Sequence, residues 1–186
     1  LLDPSCRNAV ESDFITPFYD IDSARMLDHI DDHHDVEGLE VKPPEVMQYF
    51  VRVKKDSLKR FAEERGLETL PERDIEDEFV YQNTFQLNSK YYASLGEQKA
   101  FVLSRGRDQL ILKIVGYAEQ IVTYYKLDDL LAHVWIAHQR YPTRGRVWHP
   151  GGAHPFCGLN EALVHNGDFA NYHSVTEYLA QRNIVP

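Results

Sequence analysis

HQRYPTRGRVWHPGGAHPFCGLNEALVHNGDFANY, residues 138–172, holds an arginine, a run of turn residues, several histidines and an HNG tripeptide. Two apolar, strand-like runs accompany them, HVWIA at 133–137 and EALV at 161–164. Strands that end in polar loops rich in Gly and Pro carry chemistry more often than core packing. Arg140 can clamp a carboxylate through two parallel N–H bonds. Asn166-Gly167 can aim a side-chain amide and a backbone N–H at one developing oxyanion. Together these parts suit an enzyme that grips an amino acid and attacks its carbonyl or amide carbon. Each also has a plainer reading, since an arginine can pair with any nearby acid and Asn-Gly is a common hairpin turn.

The order Arg140-Tyr141-Pro142-Thr143, then Ala153-His154-Pro155, then His165-Asn166-Gly167 ahead of a helix-like stretch decides between those readings. It resembles the glutaminase domain of class II glutamine amidotransferases, the N-terminal-nucleophile type. The versions serving glutamate synthase and related amino-acid synthases are the most similar. The resemblance runs over about residues 100–186, and the first hundred residues carry little of it. It implies an α+β fold, the four-layer α-β-β-α sandwich of the N-terminal-nucleophile hydrolases, as a single domain over residues 1–186. By the same resemblance Arg140 binds the α-carboxylate of glutamine with Thr143 assisting, and Tyr141 packs over the substrate or its loop. His154 braces the loop beneath Arg140, while Asn166 and Gly167 form the oxyanion hole. The implied reaction hydrolyses glutamine through a cysteinyl thioester and hands ammonia to a synthase domain or subunit. Flavin and iron–sulfur clusters would belong to that partner, with no cofactor or metal in this chain.

The family's nucleophile is a cysteine at the mature N-terminus whose own α-amine is the general base. A free amine titrates near pH 8 and can take the thiol proton. Cys6 is the candidate here, exposed by loss of Leu1 to Ser5. It departs from the pattern, because Arg7-Asn8-Ala9-Val10-Glu11 follows it in place of a glycine and a short apolar strand. The chain opens at Leu1, and the family's aspartate for the glutamine α-amine would fall beyond Pro186. The expectation therefore includes a nucleophile and an aspartate on a further piece of the protein. The alternative is a non-catalytic amidotransferase-like scaffold or glutamine-sensing subunit. Cys157, just ahead of the apolar run at 159–164, reads as a small buried thiol rather than a nucleophile.

Bulk properties agree with a soluble module. A length of 186 residues suffices for one domain with a real core. A net charge of -9 argues against a general nucleic-acid or acidic-membrane binder, which needs clustered Lys and Arg. No apolar run approaches a membrane span, and two cysteines make no disulfide framework, so a reducing cytoplasm is the expected setting. The cluster His29, Asp31, Asp32, His33, His34 and Asp35 has metal-ligating side chains, yet no second cluster supports chelation, and solvated surface is the preferred reading. Trp148 and His149 suit either a pocket gate or an anchored loop, and Asp168 is placed to orient the HNG turn.

Periodicity predicts a strand over 46–53, then a helix capped by Asp56 or Ser57 and stopped by Gly66, with Leu58, Phe61 and Ala62 on one face. Residues 71–78 read as an acidic connector and 79–87 as a second alternating strand. A hairpin is expected over 100–115, turning at Arg105-Gly106-Arg107-Asp108. Helices are expected over 118–125 and 174–182, with a short one near 128–132 between them.

Overall fold

The computed structural model describes residues 3–28, 45–92, 98–139, 153–167 and 170–182. The acidic N-terminal stretch, which shows little periodicity, folds into consecutive helical turns. Asp3 caps the first, a 3-10 turn at Pro4–Cys6: its Oδ1 accepts from Ser5 N at 2.9 Å and from Ser5 Oγ at 2.7 Å. Helix α1 (Arg7–Val10) and a π-type turn at Glu11–Ile15 continue it. Their inner face buries Cys6, Val10 and Phe14 against Leu87, Tyr91 and Ala100.

Four short strands follow: β1 (Tyr19–Ile21), β2 (Leu27–Asp28), β3 (Met47–Gln48) and β4 (Val51–Val53). β1 pairs antiparallel with β4, Tyr19 opposite Val53, and β2 pairs antiparallel with β3. The single strand expected over 46–53 is thus two. The cause lies in its partner, which turns at Asp22, where Arg25 N and Met26 N both donate to Asp22 O. Opposite that turn the Arg25 guanidinium sits 4.1 Å from the centre of the Phe50 ring, and Phe50 O accepts from Asp22 N at 2.8 Å.

Helix α2 (Lys55–Arg65) stops where expected, with Gly66 at φ +66°. That left-handed conformation costs glycine nothing. Its start differs from expectation. Lys54 is the N-cap without a side-chain capping bond, and Asp56 sits inside the first turn, where its charge complements the helix dipole.

The largest correction is helix α3 (Glu72–Tyr91), which replaces both the expected connector at 71–78 and the expected strand at 79–87. Phe79, Tyr81, Asn83, Phe85 and Leu87 alternate, but only every second member of that series is buried. Tyr81 is 44% exposed and Phe85 61% exposed. Phe79, Asn83 and Leu87 continue a fourfold stripe that begins at Ile75 and ends at Tyr91. The stripe packs on both preceding units. Phe79 makes edge-on contacts with Phe18, Tyr19 and Phe61 at centroid distances of 5.7, 5.9 and 5.2 Å. Val53, Leu58, Ala62 and Ile75 complete that cluster. Asn83, buried in mid-stripe, spends its Nδ2 on Phe14 O at 2.9 Å and Tyr19 Oη at 3.0 Å, which joins the N-terminal turns and β1 to the helix. Burial pushes the Tyr19 hydroxyl up to about 12, so that junction is uncharged at neutral pH.

The expected hairpin at 100–115 shows no strand ladder. Side chains take the backbone donors instead: Val102 N donates to Asn88 Oδ1 at 2.9 Å and Ile111 N to Ser104 Oγ at 3.2 Å. In place of a hydrogen-bonded turn the chain bends at 106–108, with Gly106 at φ +134° and pressed so closely on Leu159 O that a Cβ would lie 2.6 Å from it. Gln109 fixes this contact by donating to Gly158 O at 2.8 Å. Helix α4 (Ala118–Tyr125) follows as expected and packs Tyr124 and Tyr125 with Val46. A 3-10 turn at Leu127–Asp129 stands in for the expected short helix. Residues 133–137, expected as a strand, have no ladder partner among the described residues, and Val134 and Trp135 are exposed. Strands β5 (Phe156–Cys157) and β6 (Ala162–Leu163) and helix α5 (Tyr172–Ala180) complete the described order.

Candidate active site

β5 and β6 form a tight antiparallel hairpin, with Phe156 opposite Leu163 and Cys157 opposite Ala162. Its turn is closed by Gly158 N donating to Glu161 O at 2.9 Å. Such a hairpin sets the residues just before β5 beside those just after β6. The Ala153-His154-Pro155 and His165-Asn166-Gly167 motifs therefore share one end of it. The rings of His154 and His165 lie 6.4 Å apart between centroids, and His154 also meets His138 at 4.7 Å and Phe156 at 4.6 Å.

Asn166 and Gly167 lie on the exposed rim of this hairpin. Gly167 holds φ +151°, and a Cβ there would stand 3.1 Å from His165 Cε1. Both facts call for glycine at the position. Asn166 is exposed, and its side chain has no hydrogen-bond partner among the described residues. The HNG motif leads into α5, as expected from the sequence. Arg140, Tyr141 and Thr143 lie outside the described residues, as do the acidic and histidine cluster at 29–35, Trp148, His149 and Asp168.

Cys6 packs in the N-terminal cluster with Val10, Phe14, Leu87, Tyr91 and Ala100. It is 7% exposed and its thiol donates to Lys99 O at 3.4 Å. Burial, with Asp3 adding to it, pushes the thiol pKa up and disfavours the thiolate that a nucleophile requires. Cys157 is half-buried, with its thiol directed at Leu103 O at 3.6 Å.

One residue beside the motifs was not anticipated. Lys113 is 6% exposed, and its Nζ donates to Ala153 O at 2.8 Å, immediately before His154. The ammonium lies 5.3 Å from the centre of the Phe156 ring. Burial holds its pKa below the ordinary lysine value. Tyr125 Oη fixes the same residue's backbone by donating to Lys113 O at 2.8 Å. The available sequence signal was a lone charge inside the apolar run QLILKIV. Among the described residues no group of three or more His, Cys, Asp or Glu side chains is placed to hold a metal ion. None of the described helices is long and apolar enough to cross a membrane.

No known family model matches the chain, and no solved structure matches it. Two curated relatives align with part of it. An uncharacterized protein of Archaeoglobus fulgidus is 36% identical over 105 residues, which is 56% of this chain and 26% of that protein. Glutamine–fructose-6-phosphate aminotransferase (isomerizing) of Sulfurisphaera tokodaii is 33% identical over 96 residues, 50% of this chain and 15% of that enzyme. This second likeness points to a glutamine amidotransferase relationship. It is partial and distant, and the chain spans only about a quarter or less of either relative. Neither relative's name refers to glutamate synthase.

Proposed function

We propose that the chain is the glutaminase module of a class II glutamine amidotransferase. It hydrolyses glutamine and delivers ammonia to an amino-acid synthase of the glutamate synthase kind. The proposed fold is the four-layer α-β-β-α sandwich that the resemblance implies. The observation that carries the reading is the meeting of the Ala153-His154-Pro155 and His165-Asn166-Gly167 motifs at one end of the β5–β6 hairpin. The partial likeness to an aminotransferase that uses glutamine supports it.

In this reading Arg140 holds the α-carboxylate of glutamine and Thr143 assists. A cysteine thiolate attacks the side-chain amide carbon, and the oxyanion so formed accepts hydrogen bonds from the Asn166 amide and Gly167 N–H. Collapse expels ammonia and leaves a thioester, which water hydrolyses to glutamate and the free thiol. Ammonia released into water is protonated and lost, so such a module works against a partner that conducts it. The experiment that tests the proposal is glutamate release from glutamine, with and without the synthase partner. Arg140→Lys keeps the charge but loses the planar fork. It should raise KM for glutamine about tenfold or more, the roughly 1.5 kcal/mol of one charge-assisted hydrogen bond, with little change in kcat. An unchanged KM in steady-state assays removes Arg140 from the site.

One observation favours a second reading, a scaffold or glutamine-sensing subunit that keeps the pocket without Cys6 as nucleophile. Cys6 is buried, bonded to Lys99 O and shifted away from the thiolate. The same observation is met if the nucleophile lies on another piece of the protein.

A further inference from the structure

The buried ammonium of Lys113 is only partly satisfied. Lysine has three N–H donors. One goes to Ala153 O, the Phe156 ring face approaches the charge, and no carboxylate lies within ion-pair distance among the described residues. A buried cation left in this state is costly unless a counter-charge meets it. Lys113 also lines a broad basin of about 2510 Å³, together with Ile111, Ile114, Ala153, His138 and His154. That volume exceeds the roughly 300–1,000 Å³ of an ordinary small-molecule pocket, so a ligand at Lys113 would occupy one corner of it.

We propose that Lys113 anchors a site for a small organic monocarboxylate, whose apolar part lies against the Phe156 ring. The two free N–H donors of Lys113 face the carboxylate oxygens. A monoanion leaves a neutral pair in the desolvated corner, whereas a dianion such as phosphate would bury excess negative charge. The Phe156 ring beside the ammonium favours a hydrocarbon tail over a polar one. The site does not rest on the glutaminase reading, which assigns the glutamine carboxylate to Arg140.

The test uses sodium butyrate as probe, with sodium chloride at equal ionic strength and butyramide, its neutral isostere, as controls. Butyrate should bind saturably by calorimetry and raise Tm, and butyramide should do neither. Lys113→Met, similar in length and uncharged, should weaken butyrate binding at least tenfold, whereas Lys113→Arg should retain it. Should the methionine variant not fold, the contrast between butyrate and butyramide on the unaltered protein decides. Equal Tm shifts from both compounds, no saturable butyrate binding, or undiminished binding by a folded Lys113→Met protein overturns the proposal. Preferential binding of inorganic phosphate overturns the monocarboxylate class. Absence of glutamine hydrolysis by the unaltered protein, with butyrate binding intact, would leave this site standing and count against the glutaminase reading alone.

Discussion

Phe79→Ala should destabilise the fold by about 3–5 kcal/mol, the usual cost of emptying a phenylalanine site in a core. Phe79 is the hub at which α3 meets β1 and α2, with Phe18, Tyr19 and Phe61 set edge-on around it. Truncation removes three aromatic contacts and leaves a cavity that rings cannot collapse to fill. Denaturant unfolding should show a lower midpoint with an unchanged slope. Phe85→Ala, on the exposed side of the same helix, serves as the control and should stay within about 0.5 kcal/mol of the parent. Equal losses at both positions would contradict the burial stripe and restore an alternating strand as the better description.

Asn166→Ala should act on the reaction and not on the fold. The loss of one oxyanion donor typically lowers kcat by roughly a hundred- to thousand-fold, about 2.7–4 kcal/mol. The side chain is exposed and without a hydrogen-bond partner among the described residues, so its removal should leave Tm close to the parent. Glutamine binding, measured by calorimetry, should also survive. A large fall in Tm with kcat preserved would make Asn166 a structural turn residue.

Local signals are legible in the sequence. Gly66 ends α2 because its stop depends on one left-handed residue, and α4 and α5 follow from short amphipathic runs. The failures share a different cause. Residues 79–87 satisfy twofold and fourfold spacing alike at Phe79, Asn83 and Leu87, and only Ile75 and Tyr91, outside the window, extend the helical stripe. The break between β3 and β4 is imposed by a turn at Asp22 in the partner segment, which the sequence of 46–53 does not contain. At the candidate site the motif order is readable, and of the strand-like run 161–164 only Ala162–Leu163 pair, as β6. The pairing that sets His154 near His165 is tertiary information. Lys113 is not legible as a site residue, because a lysine in an apolar run is usually the solvated face of a strand.

The central claim, a glutamine-hydrolysing site, is tested most directly by covalent trapping. Protein carrying its native mature N-terminus is treated with a diazo-ketone analogue of glutamine, with and without excess glutamine, and the modified peptide is located by mass. The account predicts one label per chain, on an N-terminal cysteine, suppressed by glutamine, with Cys157 unmodified. Protein that takes no label at any cysteine and releases no glutamate from glutamine would contradict it.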